Sequence, residues 1–272
     1  RPGSARMLAP HLEGPFLAPT RVGAHRAEHL REPSTDAVDR LIELLAPALV
    51  TLAPELPGAI SATRRIRRSG ALVAAGHTEA DAGTARTAIA AGAGLLTHAP
   101  NAMRGIETRR ATALVGYLRH PRARISVIAD GVHVDPEVLG LLADAAGTRL
   151  IAVSDATAPA GAPAGTFRLE GRRVRSDGRR AELADGTLAG SARGLGGAPA
   201  TLLRAGVSAS RAVAAATVAP RRLLGLPWRL LPGDPADITI LDTALRPQAT
   251  VVGGVLAYAA PELPDELRAA LS

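Results

Sequence analysis

The sequence predicts an α/β fold built on a parallel sheet, and two observations support that prediction. Short apolar runs alternate with helical patterns along the first 155 residues, the order expected of repeated βα units. Five of the apolar runs end at a carboxylate or an imidazole, namely Glu13, His77, His98, His133 and Asp155. The carboxyl ends of parallel strands lie at one edge of a sheet, where α/β barrels display catalytic groups, so we expect these five side chains to face a common site.

The individual elements follow from local patterns. We predict strands at 7–12, 49–53, 72–75, 95–98, 125–129 and 150–153. A helix is expected at 36–47, from its apolar spacing. Thr78 is expected to cap a second helix, with Asp81 three residues on as in a capping box and Gly92 as its end. A third helix is expected between the Asp135-Pro136 pair and Gly147.

The pattern changes after residue 160. Short segments alternate around Gly171 and the Asp177-Gly178 pair over 167–183, which is typical of antiparallel hairpins. Two helices at about 194–205 and 210–217 are expected next. Segments 238–241 and 250–258 are then predicted to be strands of a small sheet.

Composition narrows the classes of function. The chain has 272 residues, of which 47% are apolar and 2% aromatic, enough to bury a sizeable core. All 32 basic residues are Arg, and the net charge is +7. A basic protein can bind nucleic acid, but these arginines are spread along the chain, and so few aromatic residues offer no platform for stacking bases. We therefore expect no nucleic-acid partner.

The lack of cysteine limits the residues that could bind a metal, and the lack of a long uninterrupted apolar stretch bears on where the protein is located. The sequence has no cysteine, so any metal must be held by His, Asp or Glu. The longest uncharged apolar stretch, 87–103, is interrupted by His98, Pro100 and Asn101 and is not expected to span a membrane. A cytoplasmic protein is expected, although the chain begins at Arg1 rather than Met.

The strand-end residues suggest metal-assisted hydrolysis. One carboxylate, two imidazoles and a water molecule make a catalytic zinc-type site with an open position. A metal in such a site lowers the pKa of water and polarises a carbonyl. An aspartate beside that water can take its proton and later pass it to a leaving amine.

Several motifs in order resemble one known family. They are 11–17 (HLEGPFL), 23–25 (GAH), 76–78 (GHT), 97–98 with 101–103 (TH and NAM), 129–135 (ADGVHVD), 154–156 (SDA) and 188–191 (LAGS). Together they resemble the N-acetylglucosamine-6-phosphate deacetylase family of the metal-dependent amidohydrolase superfamily, from His11 to about Tyr258. The departures are Ala99-Pro100, where the family usually has a bulky apolar pair, and Arg104, where it often has proline.

The resemblance implies a reaction and a set of roles. The acetamide of N-acetylglucosamine 6-phosphate would be hydrolysed to glucosamine 6-phosphate and acetate, in amino-sugar catabolism and cell-wall recycling. Glu13, His77 and His98 would hold a divalent metal ion, expected to be Zn²⁺ with Fe²⁺, Mn²⁺ or Co²⁺ as alternatives. Asp155 would be the general base and then the acid. The substrate contacts would come from Ala24, His25, Asn101, Ala102, Arg109, His133, Leu188, Ala189, Gly190 and Ser191.

Some of these roles leave alternatives open. Arg110 could replace Arg109 as the phosphate ligand, and either arginine could be an ordinary surface residue. Arg109 or His133 could also serve the site of a neighbouring subunit, because the family is usually homodimeric. A homodimer with a small phosphorylated amino sugar as its ligand is therefore expected.

The resemblance also implies an architecture. It predicts a (β/α)8 TIM-type barrel that lacks its first two strands, with part of a small β-sandwich domain. Residues 1–230 would form the hydrolase domain, with a β-hairpin insertion at about 163–185, and residues 231–272 the C-terminal strands of the small domain. The alternatives are an amidohydrolase acting on another N-acyl sugar or a cyclic amide, and an inactive truncated chain.

Overall fold

A computed structural model describes residues 4–271, and its central feature is a six-stranded parallel sheet. The strands pair in chain order, so each βα unit adds one strand beside the last. They are β1 (His11–Glu13), β2 (Leu49–Leu52), β3 (Leu72–Ala75), β4 (Ala93–Leu96), β5 (Arg124–Ile128) and β6 (Leu150–Val153). The α/β class and the parallel sheet predicted from the sequence are confirmed, and the sheet has the form of a half-barrel.

Five helices connect these strands and show why the chain turns where it does. They are α1 (Thr35–Leu45), α2 (Ala59–Arg68), α3 (Ala82–Ala91), α4 (Ala113–Arg119) and α5 (Pro136–Ala146). The hydroxyl of Ser34 caps α1, and the carboxylates of Asp81 and Asp135 cap α3 and α5 by accepting backbone N–H groups. Gly92 ends α3 at φ 115°, a backbone angle that favours glycine.

The two faces of the sheet have different coverings. Alternate strand residues, such as Val50 and Val73, pack against α1 and α2 in one buried cluster. Leu49 and Ala74 point the other way, into a smaller cluster that also contains Ala219. Side chains on a strand alternate between its faces, and Leu12 packs against the first cluster, so Glu13 faces the same side of the sheet as the smaller cluster.

Two further sheets follow the parallel one. Strands β7 (Gly165–Leu169), β8 (Arg172–Ser176) and β9 (Ala181–Glu182) form an antiparallel sheet. Strands β10 (Ile238–Leu241), β11 (Pro247–Val252) and β12 (Val255–Ala259) form another. The remaining helices are α6 (Ala198–Arg204), α7 (Ala209–Ala216), α8 (Val218–Leu223) and α9 (Asp265–Leu271).

Three local predictions differ from the structure by more than a small shift at the end of an element. The first strand begins at His11 rather than Met7, whose apolar side chain is 94% exposed. The cap of α3 is Asp81 and not Thr78, because α3 begins at Ala82 and the Asp81 carboxylate accepts from Thr84 N. The Thr78 hydroxyl instead accepts from Ala80 N and donates to Glu55. The strand predicted at 250–258 is a hairpin, since Gly253 and Gly254 both adopt positive φ and reverse the chain.

Within residues 4–271, no helix is both long and apolar enough to cross a membrane.

Candidate active site

Three strand ends bring a carboxylate and two imidazoles together. Glu13 ends β1, and His77 and His98 follow β3 and β4 within two residues. His98 Nε2 lies 2.7 Å from Glu13 Oε1, and His77 Nε2 lies 3.3 Å from the same oxygen. The two Nε2 atoms are 3.2 Å apart, and both imidazoles are buried. The structure therefore assembles the three residues that the sequence proposed as metal ligands.

The donor set fits a divalent metal ion. One ligand atom from each of Glu13, His77 and His98 lies within 4.8 Å of the others. Tetrahedral bonds of roughly 2.0–2.2 Å would separate the ligand atoms by roughly 3.3–3.6 Å, close to two of the three separations. The shortest separation, between His98 and Glu13, is that of a hydrogen bond. Two imidazoles and one carboxylate are the ligands of a catalytic zinc site.

The backbone at these positions is unusual. His77, His98 and Asp155 have φ of 48°, 32° and 49°, a left-handed conformation that costs free energy for residues with a side chain. All three follow strands of the parallel sheet, so the chain turns in the same way at three strand ends. Such strain persists where the surrounding structure imposes it, and it is common at functional sites.

Neighbouring groups fix the orientation of His77. Its Nδ1 donates to the backbone oxygen of Arg21 at 2.6 Å, which leaves Nε2 to face Glu13. A Cβ at Gly23 would lie 3.1 Å from His77 Cε1, so the loop passes close against the ring. The carboxylate of Glu55 accepts hydrogen bonds from the Thr78 hydroxyl and from the Glu79 backbone N–H. The turn that carries His77 is thus held on both sides.

The electrostatics keep Glu13 ionised. Burial raises the pKa of the Glu13 carboxyl, but hydrogen bonds from His25, His77 and His98 outweigh burial and leave that pKa far below its usual range. Burial lowers the pKa of His98, but its hydrogen bond to Glu13 and the charge of Glu13 raise it overall. Glu13 is therefore a carboxylate at neutral pH, as a metal ligand must be.

His25 joins the site from the loop after β1. Its Nε2 lies 3.0 Å from Glu13 Oε2, and its Nδ1 lies 3.8 Å from Glu170 Oε1. Glu170 belongs to the turn between β7 and β8, so the antiparallel sheet reaches the edge of the site. Ala24, the other predicted contact in this loop, packs against the buried cluster of that sheet.

Asp155 follows β6 at the same end of the sheet. Asp155 is exposed, and its charge acts to raise the pKa of both His98 and His11. The backbone oxygen of Asp155 accepts from Ser191 N at 2.7 Å, which ties it to segment 188–191. A Cβ at Gly190 would lie 2.7 Å from that same oxygen, so the close approach requires glycine.

Asp130 links two of the predicted substrate contacts. Its Oδ2 accepts from His133 Nδ1 at 2.8 Å and from Ser191 Oγ at 2.7 Å. Its Oδ1 accepts the backbone N–H groups of Val132 and His133. Burial raises the pKa of this carboxyl, but the hydrogen bonds from His133, Ser191 and the backbone lower it well below its usual range.

The segment proposed to bind phosphate begins beside His98. Asn101 Nδ2 donates to the His98 backbone oxygen at 3.0 Å. Ala102 has φ of 51°, and its backbone oxygen accepts from Thr78 N. Arg109 lies farther along the chain in an exposed stretch. The remaining predicted contacts, Leu188, Ala189 and Gly190, precede Ser191 and are at least partly buried.

Several residues of the site were not proposed from the sequence. Asp130 follows β5 at a strand end, and the same rule that selected His133 could have selected it. Thr51 connects His11 and Thr97 through hydroxyl hydrogen bonds of 2.8 and 2.7 Å on the inner face of the sheet. Glu55 also follows a strand, but no sequence pattern predicts that it accepts from Thr78.

Comparison with known proteins identifies relatives of this chain. The chain is 36% identical to the bovine N-acetylglucosamine-6-phosphate deacetylase over 276 residues, which is 96% of the chain and 67% of that protein. It is 35% identical to an N-acetylgalactosamine-6-phosphate deacetylase of Escherichia coli O157:H7 over 259 residues, 93% of the chain and 69% of that protein. No model of a protein family matches the chain.

Solved structures give the same result. The structure of a mutant deacetylase from Mycobacterium smegmatis, in complex with N-acetyl-D-glucosamine-6-phosphate, matches 92% of the chain and 68% of its own length, with a TM-score of 0.87 and 34% identity. The deacetylase of Thermotoga maritima matches 92% of the chain and 69% of its own length, with a TM-score of 0.84 and 26% identity.

A parallel α/β sheet with one carboxylate and two imidazoles gathered at its strand ends is the arrangement of a metal-dependent hydrolase. The relatives then give the family. At 35–36% identity over nearly its whole length, the chain belongs to the N-acetylglucosamine-6-phosphate deacetylase family.

Proposed function

We propose that this chain hydrolyses the acetamide of N-acetylglucosamine 6-phosphate, giving glucosamine 6-phosphate and acetate. The observation that carries the proposal is the convergence of Glu13, His77 and His98 at strand ends, within 4.8 Å of one another. Asp155 follows the sixth strand at the same end of the sheet. Family membership supplies the reaction type, and amino-sugar catabolism is the corresponding role.

The proposed ligands are Glu13, His77 and His98, and the proposed ion is Zn²⁺, with Fe²⁺, Mn²⁺ or Co²⁺ as alternatives. When bound, a divalent ion supplies Lewis-acid polarisation of the amide carbonyl and a more acidic water. Asp155 is the proposed general base that takes the proton of the attacking water. It then returns a proton to the departing amine nitrogen, which would otherwise leave as a poor anionic leaving group.

The proposed substrate contacts surround that centre. His25 lies beside Glu13 and is assigned the acetamido oxygen, with Ala24 next to it. Asn101, Ala102 and Arg109 are assigned the phosphate, because a guanidinium and backbone N–H groups suit an anion. His133 and the segment Leu188, Ala189, Gly190 and Ser191 are assigned the sugar. Asp130 supports this assignment by joining His133 to Ser191.

The galactosamine epimer is the second candidate substrate. The similarity to the E. coli protein named N-acetylgalactosamine-6-phosphate deacetylase favours it, at nearly the same identity as the glucosamine relatives. The two sugars differ only at one hydroxyl group, so the same acetamide and phosphate contacts would serve both.

We also propose an architecture and an assembly for the enzyme. The half-barrel sheet would belong to a (β/α)8 barrel whose first two strands lie outside this sequence, and β10–β12 would belong to a small β-sandwich domain. The hydrolase domain would end near residue 230, and residues 163–185 would be an insertion in it. A cytoplasmic homodimer without nucleic-acid or membrane partners completes the proposal.

The test is deacetylation measured by the appearance of free amine. The 6-phosphates of N-acetylglucosamine and N-acetylgalactosamine should be compared with the unphosphorylated sugars, before and after removal of metal with a chelator. We expect metal-dependent turnover that favours a 6-phosphate. Equal turnover of phosphorylated and unphosphorylated sugars would contradict the proposed substrate class.

A further inference from the structure

Glu55 holds the turn that follows His77, although it lies outside the cluster of metal ligands. It comes three residues after β2 and is partly buried. Its Oε2 accepts the Thr78 hydroxyl at 2.5 Å, and its Oε1 accepts the Glu79 backbone N–H at 2.6 Å. One carboxylate at the end of β2 therefore fixes the two residues that come directly after a metal ligand at the end of β3.

Thr78 connects Glu55 to two strained positions of the backbone. Thr78 is buried, it directly follows His77, and its backbone N–H donates to the backbone oxygen of Ala102 at 3.1 Å. His77 has φ of 48° and Ala102 has φ of 51°. Residues with a side chain keep this left-handed conformation only where the surrounding structure imposes it. The hydrogen bond from Thr78 to Glu55 therefore helps to hold a metal ligand and a residue assigned to the phosphate.

Glu79 provides a second connection from Glu55 to the same two parts of the site. One oxygen of its carboxylate pairs with Arg21, whose backbone oxygen accepts from His77 Nδ1 at 2.6 Å. The other oxygen lies 3.8 Å from Nε of Arg104, just beyond the residues proposed to bind phosphate. Because Glu55 holds the backbone of Glu79, it also determines where this carboxylate lies between the two arginines.

We propose that Glu55 is a positioning residue that sets the geometry of the metal site and of the phosphate-binding segment together. It acts through Thr78 and Glu79 rather than by contact with the metal or the substrate. The part of the inference that concerns phosphate rests on the function proposed above, whereas the part that concerns His77 rests on the metal ligands alone. A change at Glu55 should therefore weaken metal binding and increase the mobility of residues 101–104 at the same time.

The test compares Glu55→Ala and Glu55→Gln with the unaltered chain. Alanine removes both acceptor oxygens, whereas glutamine keeps one of them and most of the volume of the side chain. The matched control is Glu43→Ala, at an exposed glutamate of α1. Competition with a chromophoric chelator measures the dissociation constant of Zn²⁺. Hydrogen–deuterium exchange of the metal-free chain is followed in peptides that cover residues 77–80 and 101–104, and urea unfolding gives the stability of each variant.

We expect Glu55→Ala to raise the dissociation constant of Zn²⁺ roughly 10- to 100-fold, the range for groups that orient metal ligands. It should also speed exchange in both segments but not in α5. Glu55→Gln should give intermediate values, and Glu43→Ala should match the unaltered chain. A merely structural role would lower the free energy of unfolding and speed exchange in α5 as well, without changing the Zn²⁺ affinity of the folded chain. That result, or unchanged exchange at residues 101–104 in Glu55→Ala, would overturn the proposal.

Deacetylation kinetics separate this inference from the proposed function. Glu55→Ala should raise KM for the 6-phosphate more than KM for the unphosphorylated sugar, because it disturbs the segment assigned to the phosphate. Equal increases in KM for both sugars would overturn the part of the proposal that concerns phosphate. If the unaltered chain deacetylates neither sugar, the proposed function fails, and the measurements of Zn²⁺ affinity and exchange still decide the role of Glu55.

Discussion

The glycine before His77 provides a sharp test of how the site is packed. A Cβ at Gly76 would lie 2.7 Å from Thr51 Cγ2 and 3.1 Å from Thr97 Cβ. Both threonines are buried and joined by a hydroxyl hydrogen bond, so neither can move freely. Overpacking of this kind costs roughly 1–3 kcal/mol. We therefore expect Gly76→Ala to lower the free energy of unfolding by about that amount.

The matched control is Gly94→Ala in β4. A Cβ there would meet nothing within 4 Å, so the substitution should be neutral or stabilising by up to roughly 1 kcal/mol through the unfolded chain. Urea unfolding followed by circular dichroism measures both variants, with the slope of the transition checked for constancy. Gly76→Ala should also weaken metal binding, because the displaced backbone carries His77.

A second substitution separates the clash from other effects. Thr51→Ser removes the methyl group that the new Cβ would meet but keeps the hydroxyl that bonds to Thr97 and His11. In a double-mutant cycle, Thr51→Ser should recover roughly 1 kcal/mol or more of the loss caused by Gly76→Ala. The reasoning is refuted if Gly76→Ala is no more destabilising than Gly94→Ala, or if Thr51→Ser gives no recovery.

Three further predictions concern chemistry, pH and specificity. Asp155→Asn keeps the shape of the side chain but removes the proton acceptor. We therefore expect kcat to fall roughly 10²- to 10⁴-fold, while substrate binding measured by calorimetry persists. Near-normal turnover would contradict the assignment of Asp155 as the general base. The pKa of Asp130 is lower in the folded chain than in the unfolded chain, where it is about 3.9. Ionised Asp130 therefore stabilises the fold at pH above about 3.9, and this stabilisation is lost as the pH falls toward the pKa of the folded chain. The free energy of unfolding of Asp130→Asn, measured by urea unfolding, should therefore fall less between neutral and acid pH than that of the unaltered chain. An equal fall in both proteins would contradict the prediction. Arg109→Ala should raise KM for the 6-phosphate much more than for the unphosphorylated sugar, because it removes a charge-assisted contact. Equal increases in KM for both sugars would exclude Arg109 from the phosphate site.

The sequence predicted those features that depend on local periodicity and strand order. Because each βα unit adds a parallel strand, polar residues that follow the strands must meet at one edge, and Glu13, His77 and His98 do meet there. Helix α5 was predicted for a similarly local reason, since Asp135, Pro136 and Gly147 mark its ends.

Features that depend on distant residues were missed. Thr78 has the spacing of a helix cap, but α3 begins only after Asp81. The Thr78 hydroxyl accepts from Ala80 N and donates to a carboxylate 23 residues away. Helix α2 begins after Gly58 without a capping side chain, and α4 is seven residues long, so neither gives a clear local signal. The approach of Glu170 to His25 joins residues far apart in the chain, and no pattern in either segment predicts it.

The metal site is the central claim, and metal content measures it most directly. The chain, loaded with Zn²⁺ and dialysed, should retain about one ion per chain by mass spectrometry of the metal. His98→Ala removes one of two buried imidazoles and should abolish this stoichiometric binding, whereas His29→Ala, at an exposed histidine outside the cluster, should retain it. Unchanged metal content in His98→Ala would contradict the assignment of Glu13, His77 and His98 as one metal site.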